Sequence, residues 1–344
     1  MKILGIESSC DDTSVAIVDS DRNILSNIVK SQDEIHSKYK GIVPELAARS
    51  HIDCIDTTFR EALSKSNSSI EEIKLICATA GPGLIGGLLV GLTFAKTLSQ
   101  INNLPFVAVN HLEGHALTAR LTKNVAYPFL LLLVSGGHSN FYFIKDVNLY
   151  FNLGGTLDDA LGEAFDKVAN ILGLGFPGGP KLEVIAKKGD PDAYNFPKPL
   201  INKNNLDLSF SGLKTAVSQK YNDLNNNNNN KVKANIAASF QKTICDIICK
   251  KLQIAIDLCN KKKFLFKNVV IAGGVASNLI LRQKLKEIVE KENKKYYSPP
   301  VNLCTDNAAM IAWAGYERYK KKLISPLSVR AQPRWTLEER YRNI

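Results

Sequence analysis

The stretch KILGIESSCDDTSVAIV, Lys2 to Val18, decides the fold. Lys2 to Ile6 and Thr13 to Val18 are apolar runs of strand length, and the small polar turn Glu7-Ser8-Ser9-Cys10-Asp11-Asp12 joins them, so the segment reads as two β-strands. The design returns later. Phe129 to Val134 and Asn140 to Ile144 are again two apolar strands, now joined by Ser135-Gly136-Gly137-His138-Ser139. A third unit, Asn268 to Ala272, is a buried strand that runs through Gly273-Gly274-Val275-Ala276-Ser277-Asn278 into a helix starting near Leu279. Helical stretches at Pro44 to Lys65 and Gly86 to Ile101 alternate with strands at Leu75 to Thr79 and Phe106 to Val109, which indicates mixed α/β lobes. Two hairpin-led halves, each followed by α/β units, fit a duplicated ribonuclease-H-like architecture with a ligand in the cleft between the halves.

Composition sets the class. A chain of 344 residues with 45% apolar and 22% charged side chains is long enough for two domains, each with its own core. Glu7, Asp11 and Asp12 interrupt the first eighteen residues, so no export signal is expected. The most apolar windows, Phe129 to Val134 and Leu84 to Leu92, fall far short of the roughly 20 residues a membrane helix needs. The seven cysteines are odd in number and scattered, which predicts a reducing cytoplasm and no disulfide framework. Cys245 and Cys249 are spaced as neighbours on one helix face, but no second close pair completes a metal site. The net charge of +11 favours a polyanionic partner, although Lys261 to Lys263 and Lys320 to Lys322 have the character of solvated helix ends. The polar tract Asn225 to Asn230 is expected as a flexible surface loop or a frayed helix end.

The segment His111-Leu112-Glu113-Gly114-His115 places two imidazoles four residues apart, which on a helix puts both on one face, able to share a cation. A zinc protease needs its glutamate directly after the first histidine; here that place is Leu112, so proteolysis is poorly supported. A third ligand is offered by Asp306, at the start of a helix from Ala308 to Tyr319, where the carboxylate taken alone reads as an N-cap. Asp158, Asp159, Glu163 and Asp166 gather on an early helix, either to bind a hydroxyl-bearing ligand or basic groups, or only to favour its N-terminus. Pro177-Gly178-Gly179-Pro180 is a turn poor in side chains, and the glycines at 273 and 274 let backbone approach a phosphate or nucleoside.

Together these segments resemble the universal tRNA threonylcarbamoyladenosine synthase family, once labelled glycoproteases, in its bacterial branch. The resemblance runs from Ile3 to about Trp335. It rests on GIESSCDDT (Gly5 to Thr13), GIVPELAAR (Gly41 to Arg49), TAGPGL (Thr79 to Leu84), NHLEGH (Asn110 to His115) and LLVSGGHS (Leu132 to Ser139). It continues through DDALGEAFDK (Asp158 to Lys167), FPGGP (Phe176 to Pro180), SFSGLKT (Ser209 to Thr215), AGGVASN (Ala272 to Asn278) and CTDNAAMIA (Cys304 to Ala312).

The resemblance implies a two-lobed α/β fold of the actin-like ATPase superfamily. The lobes are expected as residues 1–110 with 307–344, and 111–306, the latter carrying the metal and adenylate sites. It implies a metal on His111, His115 and Asp306, with iron(II) the first expectation and zinc or magnesium the alternatives. Leu133, Val134, Ser135, Gly136, Gly137, Asp166, Gly179 and Asn278 match the family's substrate-binding positions. Asp11 and Asp12, in the first turn, are candidates to accept the amine proton, with Asp12 standing where relatives often carry glutamate.

The implied reaction moves a threonylcarbamoyl group from threonylcarbamoyl-AMP to the exocyclic amine of adenosine 37 in tRNAs reading codons that begin with A. The implied partners are tRNA, a degenerate paralogue (TsaB-like), a small ATPase (TsaE-like) and a separate enzyme making the adenylate. Two rivals stand beside this reading. An ATPase or sugar kinase of the same superfamily has no reason to carry the paired histidines, and a non-catalytic scaffold paralogue would be expected to lack His111 and His115. Arg330, Arg334 and Trp335 are expected either to contact RNA or to pack the terminal segment against the first lobe.

Overall fold

The computed structural model describes residues 1–39, 41–224 and 229–337. The first half is built from β1 (Lys2–Glu7), β2 (Asp12–Asp19), β3 (Ile24–Ser31), α1 (Asp33–Ser37), α2 (Pro44–Lys65), β4 (Ile73–Gly81), α3 (Ile85–Ile101), β5 (Phe106–Asn110) and α4 (His111–Lys123). The second half contains β6 (Phe129–Val134), β7 (Ser139–Asp146), β8 (Leu149–Gly155), α5 (Leu161–Ile171), α6 (Gly178–Ala186) and α7 (Ser211–Asp223). It continues with α8 (Asn230–Lys261), β9 (Asn268–Ala272), α9 (Leu279–Lys291) and β10 (Lys295–Tyr297), and α10 (Ala308–Lys320) follows.

The first sheet has the order β3-β2-β1-β4-β5, with β1 antiparallel to β2, parallel to β4, and β4 parallel to β5. The second has the order β10-β9-β6-β7-β8, with β6 antiparallel to β7, parallel to β9, and β9 parallel to β10. Read from β8, the second order repeats the first strand for strand. The duplication expected from the two hairpins is therefore present in the topology. β3 and β8, which complete each meander, follow short turns at residues 20–23 and 147–148 and were not among the expected strands.

The alternation of strand side chains explains why these strands read as continuous apolar runs. Leu4, Ile6, Val15, Ile17, Ile76 and Ala78 join Ile55 and Phe59 of α2 and Leu92 of α3 in one core. Gly5, between Leu4 and Ile6, faces the other way. A Cβ there would lie 2.2 Å from the Ala308 carbonyl oxygen and 2.7 Å from the Ala312 nitrogen, so the missing side chain lets the backbone of α10 lie against β1. The second sheet has its own core, in which Leu130, Leu132 and Val134 meet Phe165 of α5, Leu182 of α6 and Phe240 and Ile244 of α8.

Contacts divide the chain into two compact units, Met1–Val125 with Asp146–Tyr150 and Thr305–Ile344, and Ala126–Lys145 with Phe151–Cys304. These bounds differ from the expected lobes, residues 1–110 with 307–344 and 111–306. α4 packs against α10, with Gly114 facing Met310 and Ile311, so His111 and His115 share a unit with Asp306 rather than with the glycine turns. Of the asparagine tract, Asn229 caps α8 by accepting from the Lys231 amide, Asn230 begins the helix, and residues 225–228 lie outside the described residues. All seven cysteines are unpaired thiols. No helix among the described residues is long and apolar enough to cross a membrane.

The terminal segment lies along the first unit: the Ser325 amide donates to the Phe106 carbonyl, the Gln332 amide to the Ala80 carbonyl, and Trp335 packs against the first core. Trp335 therefore has a packing role, whereas Arg330 and Arg334 are exposed. Gly5→Ala is expected to destabilise the first unit by about 3 kcal/mol, the upper range for overpacking against backbone that cannot retreat. Denaturant unfolding monitored in the first unit checks this, and an unchanged midpoint would mean that α10 does not need that glycine.

Candidate metal centre and ligand turns

Helix α4 begins where β5 ends, and Asn110 caps it, its side-chain oxygen accepting from the Leu112 amide at 2.8 Å. His111 and His115 then fall on one face, their ring centroids 4.8 Å apart and nearly perpendicular. Asp306 arrives from the turn before α10. Its Oδ1 lies 3.1 Å from His115 Nε2 and 3.5 Å from His111 Nε2, and the three candidate ligand atoms all lie within 4.8 Å of one another. The N-cap of α10 is Asn307, whose side-chain oxygen accepts from the Met310 amide. Taken alone, Asp306 read as that cap; the structure assigns the cap to its neighbour and turns the aspartate to the imidazoles.

Glu7, at the end of β1, is the group that sequence reasoning missed. It is fully buried, and its Oε2 sits 3.0 Å from His111 Nδ1, with the Ser9 hydroxyl 3.1 Å from the same nitrogen. The Ser9 amide donates to Glu7 Oε1 at 2.6 Å, and the Thr79 hydroxyl donates to Oε2 at 2.5 Å. A carboxylate on Nδ1 fixes that nitrogen as the protonated one and leaves Nε2 facing Asp306, the arrangement by which metal-binding histidines are oriented. Burial works against the charged carboxylate, but His111 and these hydrogen bonds hold Glu7 below its usual range. Burial likewise opposes a charged His111, yet Asp306 and Glu7 overcome it and raise the imidazole from 6.5 to about 9. In the metal-free protein the stability this adds is fully present below pH 6.5 and is lost as pH rises through about 9.

Asp11 and Asp12 lie in the same field. Burial, then the negative charge of Asp306, raises Asp11, and burial with Asp306 and Asp11 raises Asp12 from 3.8 to about 8. Behind their turn stands buried His51, which sits 2.7 Å from the Thr13 hydroxyl through Nδ1 and 3.1 Å from the Cys10 carbonyl through Nε2. The residues present suit a divalent cation: two imidazole nitrogens and one carboxylate oxygen are the donor set of open, three-ligand catalytic sites. Glu113, two residues past His111, points elsewhere and pairs with Arg318, which agrees with the expectation that it is no metalloprotease base.

The second unit holds the remaining predicted residues. Leu133 and Val134 are buried in β6, so only their backbone can meet a ligand. Ser135, Gly136 and Gly137 form the turn beyond them, tied to α5 because the Gly162 and Glu163 amides donate to the Ser135 and Gly136 carbonyls. Gly273 abuts this turn. Its φ is +93°, and a Cβ there would lie 2.5 Å from the Val134 carbonyl oxygen, so its glycine is demanded by the fold itself. Gly136, Gly137 and Gly274 are different. A Cβ on any of them would meet nothing within 4 Å, and one on Gly179 would meet only Phe165, at 3.9 Å.

The Asn278 side chain is engaged internally, accepting from the Leu281 amide and donating to Gln241. Asp166 accepts from the Gly178 and Gly179 amides at 2.8 and 3.2 Å. The other three carboxylates of that stretch have local partners. Asp158 gathers the Ser209 and Ser211 hydroxyls and the Phe210 amide, Asp159 pairs with Lys167, and Glu163 accepts from the Ala160 amide.

Residues 23–313 match the family model TsaD, tRNA N6-adenosine threonylcarbamoyltransferase. The chain is 55% identical over 339 residues to the tRNA N6-adenosine threonylcarbamoyltransferase of Rickettsia bellii (strain OSU 85-389), covering 98% of this chain and 99% of that protein. It is 52% identical over 341 residues to the enzyme of the same name from Rickettsia rickettsii (strain Sheila Smith), again covering 98% and 99%. Among solved structures, T. kodakarensis HypF is similar with a TM-score of 0.58 at 14% identity, over 93% of this chain and 48% of that one, a likeness of fold alone. The architecture is the two-lobed α/β fold of actin-like ATPases, and the chain belongs to the TsaD family of tRNA N6-adenosine threonylcarbamoyltransferases.

Proposed function

We propose that this chain transfers the threonylcarbamoyl group of threonylcarbamoyl-AMP to the exocyclic amine of adenosine 37 in tRNAs reading codons that begin with A. The observation that carries the reading is the His111, His115 and Asp306 cluster, oriented by Glu7, in a chain whose relatives at more than half identity bear that activity in their names. A superfamily ATPase or sugar kinase would have no use for that cluster.

In the reaction the amine nitrogen bonds to the carbamoyl carbon, the bond from that carbon to the phosphate oxygen breaks, and AMP leaves. An exocyclic adenine amine is a weak nucleophile, so the protein's main contribution is to hold the two substrates in line. We assign the cluster to a divalent metal, iron(II) first and zinc or magnesium as alternatives; two imidazoles and a carboxylate favour iron and zinc over the harder magnesium. Such an ion would supply Lewis-acid stabilisation of oxygen charge developing in the transition state. We assign the amine proton to Asp12, with Asp11 beside it, as the carboxylates of the first turn.

The Ser135-Gly136-Gly137 turn and Gly274 are assigned to the adenylate, whose phosphate and ribose would approach backbone amides there. Asp166 and Gly179 line the same assignment, with Leu133, Val134 and Asn278 shaping it from behind. Seven unpaired cysteines suit a reducing cytoplasm. tRNA, a TsaB-like paralogue and a TsaE-like ATPase complete the reading, with Arg330 and Arg334 as exposed cations available to RNA phosphates.

The direct assay is nucleoside analysis of tRNA after incubation with threonylcarbamoyl-AMP and the partner subunits. Wild type should yield threonylcarbamoyladenosine and Asp306→Ala at least about 100-fold less, the order of loss expected when a metal ligand is removed; undiminished product from the variant would overturn the assignment. For the adenylate, Gly274→Val should weaken binding of a non-hydrolysable analogue without loss of thermal stability, because its Cβ enters open space. Gly273→Val is expected to unfold the turn instead, and full affinity in folded Gly274→Val would move the adenosine end elsewhere.

A further inference from the structure

On an α-helix each residue turns about 100°, so Glu113 lies on the side of α4 opposite to His111 and His115. There it is fully buried. Its Oε1 accepts from the Tyr150 hydroxyl at 2.6 Å, and Arg318 Nη1 donates to Oε2 at 3.0 Å and Oε1 at 3.3 Å. Arg318 is itself buried, and the same Nη1 reaches Asn148 Oδ1 at 3.5 Å. Arg318 belongs to α10, the helix that begins two residues after Asp306. The pair thus joins the element that carries two candidate ligands to the element that follows the third.

Stability alone does not account for it. Taking a carboxylate and a guanidinium out of water is expensive, and well-packed apolar residues often replace such pairs without loss. Arg318 Nε is moreover buried without a hydrogen-bond partner among the described residues. What the ionic pair adds over an apolar one is a single allowed setting of the helix. Rotating α4 by about 20° would sweep an atom roughly 6 Å from its axis through about 2 Å, a whole metal–nitrogen bond length. Gly114 removes the side chain that would hold the helices apart: a Cβ there would lie 2.9 Å from Ile311 Cδ1.

We propose that the buried Glu113–Arg318 pair is a positioning device that sets the rotation of α4 about its axis, and with it the direction in which His111 and His115 present Nε2 toward Asp306. The inference rests on the metal reading above and adds to it two residues that touch neither metal nor substrate. Cobalt(II) is the probe, because its visible absorption reports coordination geometry and its titration reports affinity, neither requiring turnover. Wild type, Glu113→Gln, Arg318→Lys and Tyr150→Phe are compared with Phe59→Leu, a packing change on α2 that destabilises the same unit away from α4. The pair variants should show cobalt dissociation constants raised about tenfold or more and altered spectra. Phe59→Leu should lower the melting temperature and leave affinity and spectrum at wild-type values. Should Glu113→Gln not fold, Arg318→Lys carries the test, and Tyr150→Phe, which keeps the pair and removes one donor, should stay at wild-type affinity. Wild-type affinity and spectrum in the folded pair variants would overturn the proposal while leaving the metal reading standing. Failure of wild type to bind cobalt, or equal binding by His111→Ala, would overturn both.

Discussion

A single hydrogen-bonded contact, the Glu7 carboxylate on His111 Nδ1, organises the first unit's site. Its partners come from three neighbouring strands that run parallel: Glu7 ends β1, Thr79 lies near the end of β4, and His111 follows directly on β5. Parallel strands bring their carboxyl ends to one edge of the sheet, where open α/β sheets place their ligands. A buried carboxylate is tolerable there only because an imidazole, two hydroxyls and an amide surround it. The chemistry of the first turn follows from that charge and from Asp306 in front of it, which together raise His111 and, through Asp306, Asp11 and Asp12.

The second unit repeats the same strand order in a sheet of its own. β6 and β9 are parallel neighbours, and beyond their carboxyl ends lie Ser135-Gly136-Gly137 and Gly273-Gly274. Two kinds of glycine are mixed in these turns. Gly273 and Gly162 are glycine because the backbone of the neighbouring turn occupies the space of a Cβ. Gly136, Gly137 and Gly274 have no such reason within the chain, and an open glycine at the mouth of two parallel strands is what close approach of a ligand's phosphate or sugar would require.

Much of this was legible from residue order. The hairpins, α2, β9 and the start of α9 fall where periodicity and glycine placement put them, because each is decided by local pattern. The His111 and His115 pair was legible from helical spacing, and Asp306 became legible as a third ligand only beside the motifs around it. Asp306 alone read as a cap because an aspartate before a helix and an asparagine before a helix give the same local signal, and Asn307 holds the cap. Glu7, Thr79 and the Glu113–Arg318 pair were not legible. Their partners lie from 37 to 205 residues away, and nothing in local composition reports such distances. The packing of α4 on α10 was not legible for a related reason: a strand-to-helix junction at residue 110 marks a change of element and says nothing of what the helix packs on.

The central claim is that Glu7 accepts a hydrogen bond from the Nδ1–H of His111, so that Nε2 of His111 and of His115 can share one cation with Asp306. Nitrogen-15 NMR of the imidazoles, before and after loading with diamagnetic zinc, tests it most directly, and with five histidines in the chain the spectrum is assignable. The account predicts that His111 titrates near pH 9 in the metal-free protein, and that on loading it keeps the Nδ1 proton while Nε2 of both His111 and His115 takes a metal-bound shift. Imidazole signals from His111 and His115 that do not respond to zinc, or a metal-bound Nδ1 on His111, would contradict it.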